Sequence, residues 1–416
     1  MCTQQIAFLL SAVFVSTVAY TQSIARFTAD AGAYKRTNTP VSITFEHIPM
    51  NNDTTYYLEE TTPGRKGVLP CQIENGYHRT MWWILSGTTN AGEKRTFELK
   101  YGSIPASSEK ITATDNAGTL TMAYSARNIM QYNYKTVYPP AGVDTAFRRS
   151  GFIHPLWSPK GTVLTNIQPS DHYHHYGIWN PWTHTTFEGK EVDFWNLVKR
   201  EGRVCANGFL STTEGPVYGG FKAHHIHVAH PDSIGKKTAL NEVWDVRVFN
   251  QGTNVWLWEL TSTLSCASES PLTIEEYRYQ GLGFRANAEW TKENAAFLTS
   301  EGKTRKDADN TRARWCMVEG QSTAGRSGIV FLGNPSNYNY PEPIRIWDEK
   351  QNNGRGDVFF NFCPTKTQRW QLVPGHEYTL RYRMLVYDNA CTKEQAEAAW
   401  IDFANPPFVT IDTTNK

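Results

Sequence analysis

Punctuation constrains this chain more than any other feature. Short runs of alternating or β-branched residues recur along it, and Gly, Pro, Asn and Asp separate them. Residues 41–46, 81–85, 95–99, 120–124, 243–249, 255–264, 328–331 and 378–386 all have strand length and strand composition. In Trp256-Leu-Trp-Glu-Leu-Thr-Ser-Thr-Leu264 bulky and variable positions alternate, as in a half-buried antiparallel strand. A clear helix signal occurs once. Thr392 and Gln395 frame a capping box ahead of an Ala/Glu-rich stretch, and Pro406 closes it. A weaker helical pattern covers residues 189–197. The chain is therefore expected to be all-β with a C-terminal helix.

A chain of 416 residues exceeds the usual single-domain size. The turn-rich Tyr138-Pro-Pro-Ala-Gly-Val-Asp144 is the expected joint. It divides a small N-terminal β-sandwich, residues 22–140, from a large antiparallel two-sheet unit, residues 141–416. Residues 6–19 form an apolar run followed by small residues. That run suits a signal peptide over residues 1–21, although no Lys or Arg precedes it. The mature protein is thus expected in the periplasm or secreted. The run is too short for a membrane span of roughly 20 apolar residues, and no other segment could form one, so no integral membrane association is expected. Net charge is +1 with both signs interspersed, which argues against a nucleic-acid partner. Six cysteines follow the leader, far apart and with no C-x-x-C pair; buried thiols and one or two bridges both remain open.

Five of the twelve histidines fall at His154, His172, His174, His175 and His184, and Trp157, Trp179, Trp182 and Trp195 share nearly the same window. Imidazoles titrate near neutrality and supply acids, bases or metal ligands. In an extended Asp171-His-Tyr-His-His175 segment, His172 and His174 would share one face and His175 the other. That spacing suits either a metal-free acid/base pair or a transition-metal site held by His172 and His174. Asn180-Pro181 forces a loop, which places Trp179 or Trp182 at the mouth of a site, where an indole can stack on a sugar ring. His225 and His227 alternate onto one strand face, either as ordinary strand residues or in support of a site.

Two later segments add polar groups. Glu275-Glu276-Tyr-Arg-Tyr-Gln-Gly-Leu-Gly-Phe-Arg285 combines carboxylates, Arg and two strand glycines. An inward Arg285 needs a carboxylate or a ligand, and strand glycines admit a ligand or another backbone. The amide- and aromatic-rich stretch from Gly333 to Trp347 contains Asn337 and Arg345, residue types that read hydroxyl groups. No G-x-S-x-G, P-loop or G-x-G-x-x-G motif is present, which weighs against common hydrolase, kinase and dehydrogenase readings.

Taken together, Arg149-Ser-Gly-Phe-Ile-His154-Pro-Leu, Gly161-Thr-Val-Leu-Thr, Asp171-His-Tyr-His-His175-Tyr-Gly-Ile-Trp and Val192-Asp-Phe-Trp195 resemble a family of secreted bacterial proteins, frequent in Bacteroidetes and labelled methane-oxygenase PmoA-like. Gly281-Leu-Gly-Phe-Arg285, Asn334-Pro-Ser-Asn337 and the Pro374-Gly375 turn extend the resemblance over roughly residues 30–405. It implies a protein kept near glycan-degrading systems. Its core resembles the galactose-mutarotase-like β-supersandwich of aldose epimerases and several carbohydrate-active enzymes. The stretch from Gly67 to Leu85 is similar to the N-terminal sandwich of rhamnogalacturonan-lyase-like proteins.

The functional expectation is a carbohydrate-active enzyme, hydrolase or lyase, acting on oligosaccharides by acid/base chemistry. His172 or His174 would be the base or acid, with His175 or Glu276 as its partner. His154, Trp179, Trp182, His184, Trp195, Arg285, Asn337, Arg345 and Trp347 would bind substrate. His154, His172, His174, His175 and Arg285 are expected to line one pocket. This reading requires no cofactor, and a divalent metal is the open alternative. A non-catalytic glycan-binding protein and a metal-dependent oxidase, which the family label would favour, are the competing functions.

Overall fold

The computed structural model describes residues 23–412 apart from 47, 49, 51–53, 103 and 105–108. The expected signal peptide, 1–21, lies outside the described residues. The fold is all-β, built from antiparallel sheets with a C-terminal helix.

Two eight-stranded sheets form the body. One runs in the order Ile344–Ile346, Phe359–Phe362, Gly283–Arg285, Ile178–Trp179, Phe152–Leu156, Arg127–Asn133, Thr119–Tyr124, Ile111–Asp115. The other runs Gly202–Thr213, Tyr218–Ala229, Lys237–Phe249, Val255–Cys266, Glu377–Asp388, Gly325–Gly333, Trp315–Ser322, Ala295–Thr299. Side chains from both sheets meet in one buried cluster, which includes Tyr132, Ile178, Phe284 and Phe360 from the first sheet and Phe221, Trp244, Trp258 and Phe331 from the second. Tyr132 stacks on Phe221 at 4.6 Å, and Phe284 meets Phe331 in a tilted contact at 5.1 Å between ring centres. Lys237–Phe249 alternates buried and half-buried positions along most of its length, the period-2 pattern of a strand with one face inward. Each large apolar side chain buried this way contributes about 1.5–3 kcal/mol before chain entropy is counted.

A second core lies between a five-stranded and a three-stranded sheet. It gathers Phe27, Leu58, Phe97 and Leu99 against Val41, Met81, Trp83 and Leu85. The change of core falls between Tyr101 and Ile111, because strands 111–133 share the large body's sheet and cluster. The turn at 138–144 is thus a connection inside that body. Phe408–Asp412 returns to pair with Ser23–Asp30, so the C-terminal strand completes the N-terminal sheet.

The C-terminal helix is Lys393–Ala404, with Thr392 and Gln395 closing the capping box in both directions. The weaker helix at 189–197 does not form. Lys190–Val192 is a strand, and the Asp193 carboxylate then accepts the Trp195 and Asn196 backbone N–H groups, turning the chain. All six described cysteines are free thiols. No helix among the described residues is long and apolar enough to cross a membrane.

Candidate functional site

The site sits where adjacent strands of the first large sheet end. Ile178 pairs with Phe284, and Arg285 pairs with Phe359, so Trp179, Arg285 and Phe359 lie on neighbouring strands. The loop entering Ile178–Trp179 carries the histidines. It is a succession of turns: the backbone N–H of His172 donates to Pro169 O and that of His175 donates to His172 O. Gly177 then closes the loop at φ +59°, where a Cβ would stand 2.3 Å from the Ile153 carbonyl oxygen.

Because the segment turns, it does not sort its histidines onto two faces. A ligand nitrogen from each of His172, His174 and His175 lies within 4.8 Å of the others. His175 is 2% exposed. Its ring lies among Phe359 at 5.1 Å, Trp179 at 5.1 Å, Trp347 at 5.4 Å and Trp195 at 6.4 Å. Its Nδ1 is buried and has no hydrogen-bond partner among the described residues. Burial, followed by the neighbouring His174, holds this ring neutral, well below the usual imidazole range. Burial, then His172, pushes His174 down to about 3.

His172 is anchored differently. Its Nδ1 lies 2.9 Å from Asp171 Oδ2. Both Asp171 oxygens accept from Arg285 Nη2 at 3.1 Å, and Asp357 accepts from the same nitrogen at 2.6 Å. Burial works to raise the Asp171 carboxyl, but the His172 hydrogen bond and the Arg285 charge outweigh it and leave it at about 2. An ionised Asp171 makes Nδ1 of His172 the donor in this contact, which fixes the orientation of the ring. The Arg285 guanidinium also covers the Trp347 ring at 4.9 Å.

Two cavities meet at this centre, sharing His174 and Tyr279. The smaller, about 200 Å³, is bounded by the three histidines, Trp195, Arg278, Tyr279, Arg345, Trp347, Gln351 and Phe359. The larger, about 490 Å³, runs past Phe147, His184, Glu191, Asp193, Asn196, Lys199 and Tyr277. Arg278 covers the Tyr279 ring at 5.4 Å and the Tyr277 ring at 5.9 Å.

Residues 119–401 match a family described as a family of unknown function, DUF6807. The chain belongs to this family. The match begins at the strand Thr119–Tyr124 and runs into the C-terminal helix, so it takes in the His loop and nearly all of the large body. No curated protein matches the chain. Among solved structures, a TPR-domain containing protein from Parabacteroides distasonis aligns with 86% of this chain at 11% identity and a TM-score of 0.22. The chain spans 57% of that structure's length.

Of the residues singled out by sequence, this DUF6807 member brings His172, His174, His175, Trp195, Arg345 and Trp347 to the smaller cavity and His184 to the larger. Others lie elsewhere. Trp179 and Trp182 are fully buried, not at a mouth: Trp179 supports His175, and Trp182 meets Trp370 inside the core. The Asn180-Pro181 step still leaves the strand, but the Asn180 side chain turns inward to Glu242 and Ser262. Glu276 is exposed and lines neither cavity. His154 bonds Thr165 at 2.9 Å and lines neither cavity. Arg285 lines neither cavity; it reaches the site only through Asp171 and Trp347 and borders a separate cleft. Asn337 is buried between Glu342 and the Arg381 backbone, holding its loop together. Gly283 admits indoles, not a ligand: a Cβ there would stand 2.9 Å from Trp195 and 3.3 Å from Trp179. His225 and His227 are buried, and His227 bonds Glu242 at 2.8 Å in the interior. Sequence reading passed over Phe147, Tyr277, Arg278, Tyr279, Asp357 and Phe359. The alternating Tyr277-Arg278-Tyr279, inside a segment already singled out, was the available signal.

Proposed function

We propose that this protein is a carbohydrate-active enzyme of hydrolase or lyase type, acting on oligosaccharides in the periplasm or outside the cell, with His172, His174 and His175 as its reacting centre. The observation that carries this reading is the convergence of three imidazoles at the junction of two cavities rich in rings and hydrogen-bonding groups. Sugar-binding clefts pair flat apolar faces with a few directed polar groups. Trp347, Tyr277 and Tyr279 supply such faces here, while Asn196, Gln351, Arg278 and Lys199 supply donors. The resemblance to supersandwich carbohydrate-active proteins points the same way. His172, held by the Asp171 carboxylate, has the orientation that proton transfer and metal ligation both need.

The test is product analysis. The purified chain is incubated with plant and algal oligosaccharides, and products are resolved by chromatography and mass spectrometry. Shortened oligosaccharides, carrying either new reducing ends or unsaturated ends, are the expected result. Saccharide binding with no product on any substrate would make this a glycan-binding protein. Neither binding nor product would remove the carbohydrate reading.

A further inference from the structure

We propose that His172, His174 and His175 together form a three-imidazole site for a divalent late first-row transition metal, zinc or copper in class. This deepens the reading of the cluster as the reacting centre. It rests on that reading for the metal's role, and metal binding itself is measured independently of it.

Four observations carry the inference. The three ligand nitrogens lie within 4.8 Å of one another. A tetrahedral site with metal–nitrogen bonds of about 2.0–2.1 Å needs them about 3.3 Å apart. The remaining closure is a small side-chain rotation, open to the less buried His172 and His174, while aromatic rings hold His175 in place. Second, the buried Nδ1 of His175 has no hydrogen-bond partner among the described residues, so no described group holds this ring through that atom. Third, the Asp171–His172 contact is the carboxylate–imidazole arrangement that orients metal-ligating histidines. Arg285 in turn fixes the carboxylate through both of its oxygens. Fourth, the ligand set is all nitrogen. Imidazole favours zinc, copper and nickel, whereas calcium and magnesium take oxygen ligands.

The alternative, a set of free proton-transfer groups, fits less well. Among the described residues no carboxylate bonds His174 or His175, whereas Asp171 is taken up by His172 and Arg285. A metal with three protein nitrogens keeps an open position, and here that position would face the smaller cavity, where a water or a sugar oxygen has room to bind.

The experiment uses the full chain without a polyhistidine tag, stripped by a chelator and then titrated with zinc chloride and, separately, cobalt chloride. Bound metal is measured by mass spectrometry and calorimetry. We expect one zinc per chain and tetrahedral cobalt absorption bands. His172→Ala and His174→Ala should each lose the stoichiometric ion, and Asp171→Asn should weaken binding about 10–100-fold. Substoichiometric uptake of zinc, cobalt, copper and nickel by the wild type would overturn the proposal. So would undiminished zinc binding by the His172→Ala/His174→Ala double variant. Should those variants fail to fold, electron paramagnetic resonance of the copper-loaded wild type decides: nitrogen couplings from imidazole support the site, and their absence overturns it. Saccharide turnover by a metal-free chain would defeat this inference alone. Stoichiometric metal with no saccharide activity would instead defeat the functional reading.

Discussion

His154 and His175 show how much environment separates two histidines of the same sequence window. His175 sits among four aromatic rings at the cavity wall. His154 lies on the strand Phe152–Leu156, bonded to Thr165. Burial pushes its ring down to about 4, from an ordinary value of 6.5. The folded state therefore resists a proton that the unfolded chain accepts. Stability is higher where the ring is neutral in both states, above about pH 6.5, and falls as pH drops toward about 4. We expect the stability loss over that window to be shallower in His154→Gln. Denaturant unfolding at a series of pH values checks it; identical profiles would show that His154 does not contribute.

The residue types of the site were legible in the sequence, and their roles were less so. Density of His and Trp marked the right loop. The sequence could not show that the loop turns at Pro169 and His172, which made a two-face reading of an extended segment reasonable and wrong. Nor could it show that Trp179 faces inward, because the Asn180-Pro181 step ends the strand one residue later. Asn337 sits in an amide-rich loop that closes on itself through Glu342, a long-range contact with no local signature.

At the scale of elements, local signals were read well and long-range ones poorly. The helix Lys393–Ala404 carries its capping box in sequence, so its start was fixed by neighbouring residues. The strand Gly283–Arg285 is set by what packs on it. Trp195 and Trp179 close over Gly283, and these two indoles form part of the wall around His175. Gly283→Ala should cost about 1–3 kcal/mol by overpacking. It should also disturb the His175 environment, visible in the imidazole proton resonances. A variant with wild-type stability and unchanged resonances would mean the indoles move aside freely.

At the scale of the molecule, the strand spacing announced an antiparallel β protein, and the two eight-stranded sheets follow that pattern. The division into cores was less visible. A proline-rich turn at 138–144 looked like a joint but lies within the large body, whereas the real change of core, between Tyr101 and Ile111, carries a weaker compositional mark. Closure of the N-terminal sheet by Phe408–Asp412 joins residues nearly four hundred positions apart, which no local pattern encodes. Deleting residues 407–416 leaves Ser23–Asp30 as an edge strand. Amide protection across that strand should fall while the His loop keeps its own. Equal loss of protection in both regions would mean that the two cores unfold as one unit.

The proposed function has the His172, His174 and His175 cluster act on a saccharide. Its most direct test compares turnover of a responsive oligosaccharide by the wild type and by His174→Ala, normalised to folded protein. We expect a fall of about 10²-fold or more, the size seen when a group acting at the reacting centre is removed. Turnover equal to wild type would contradict it.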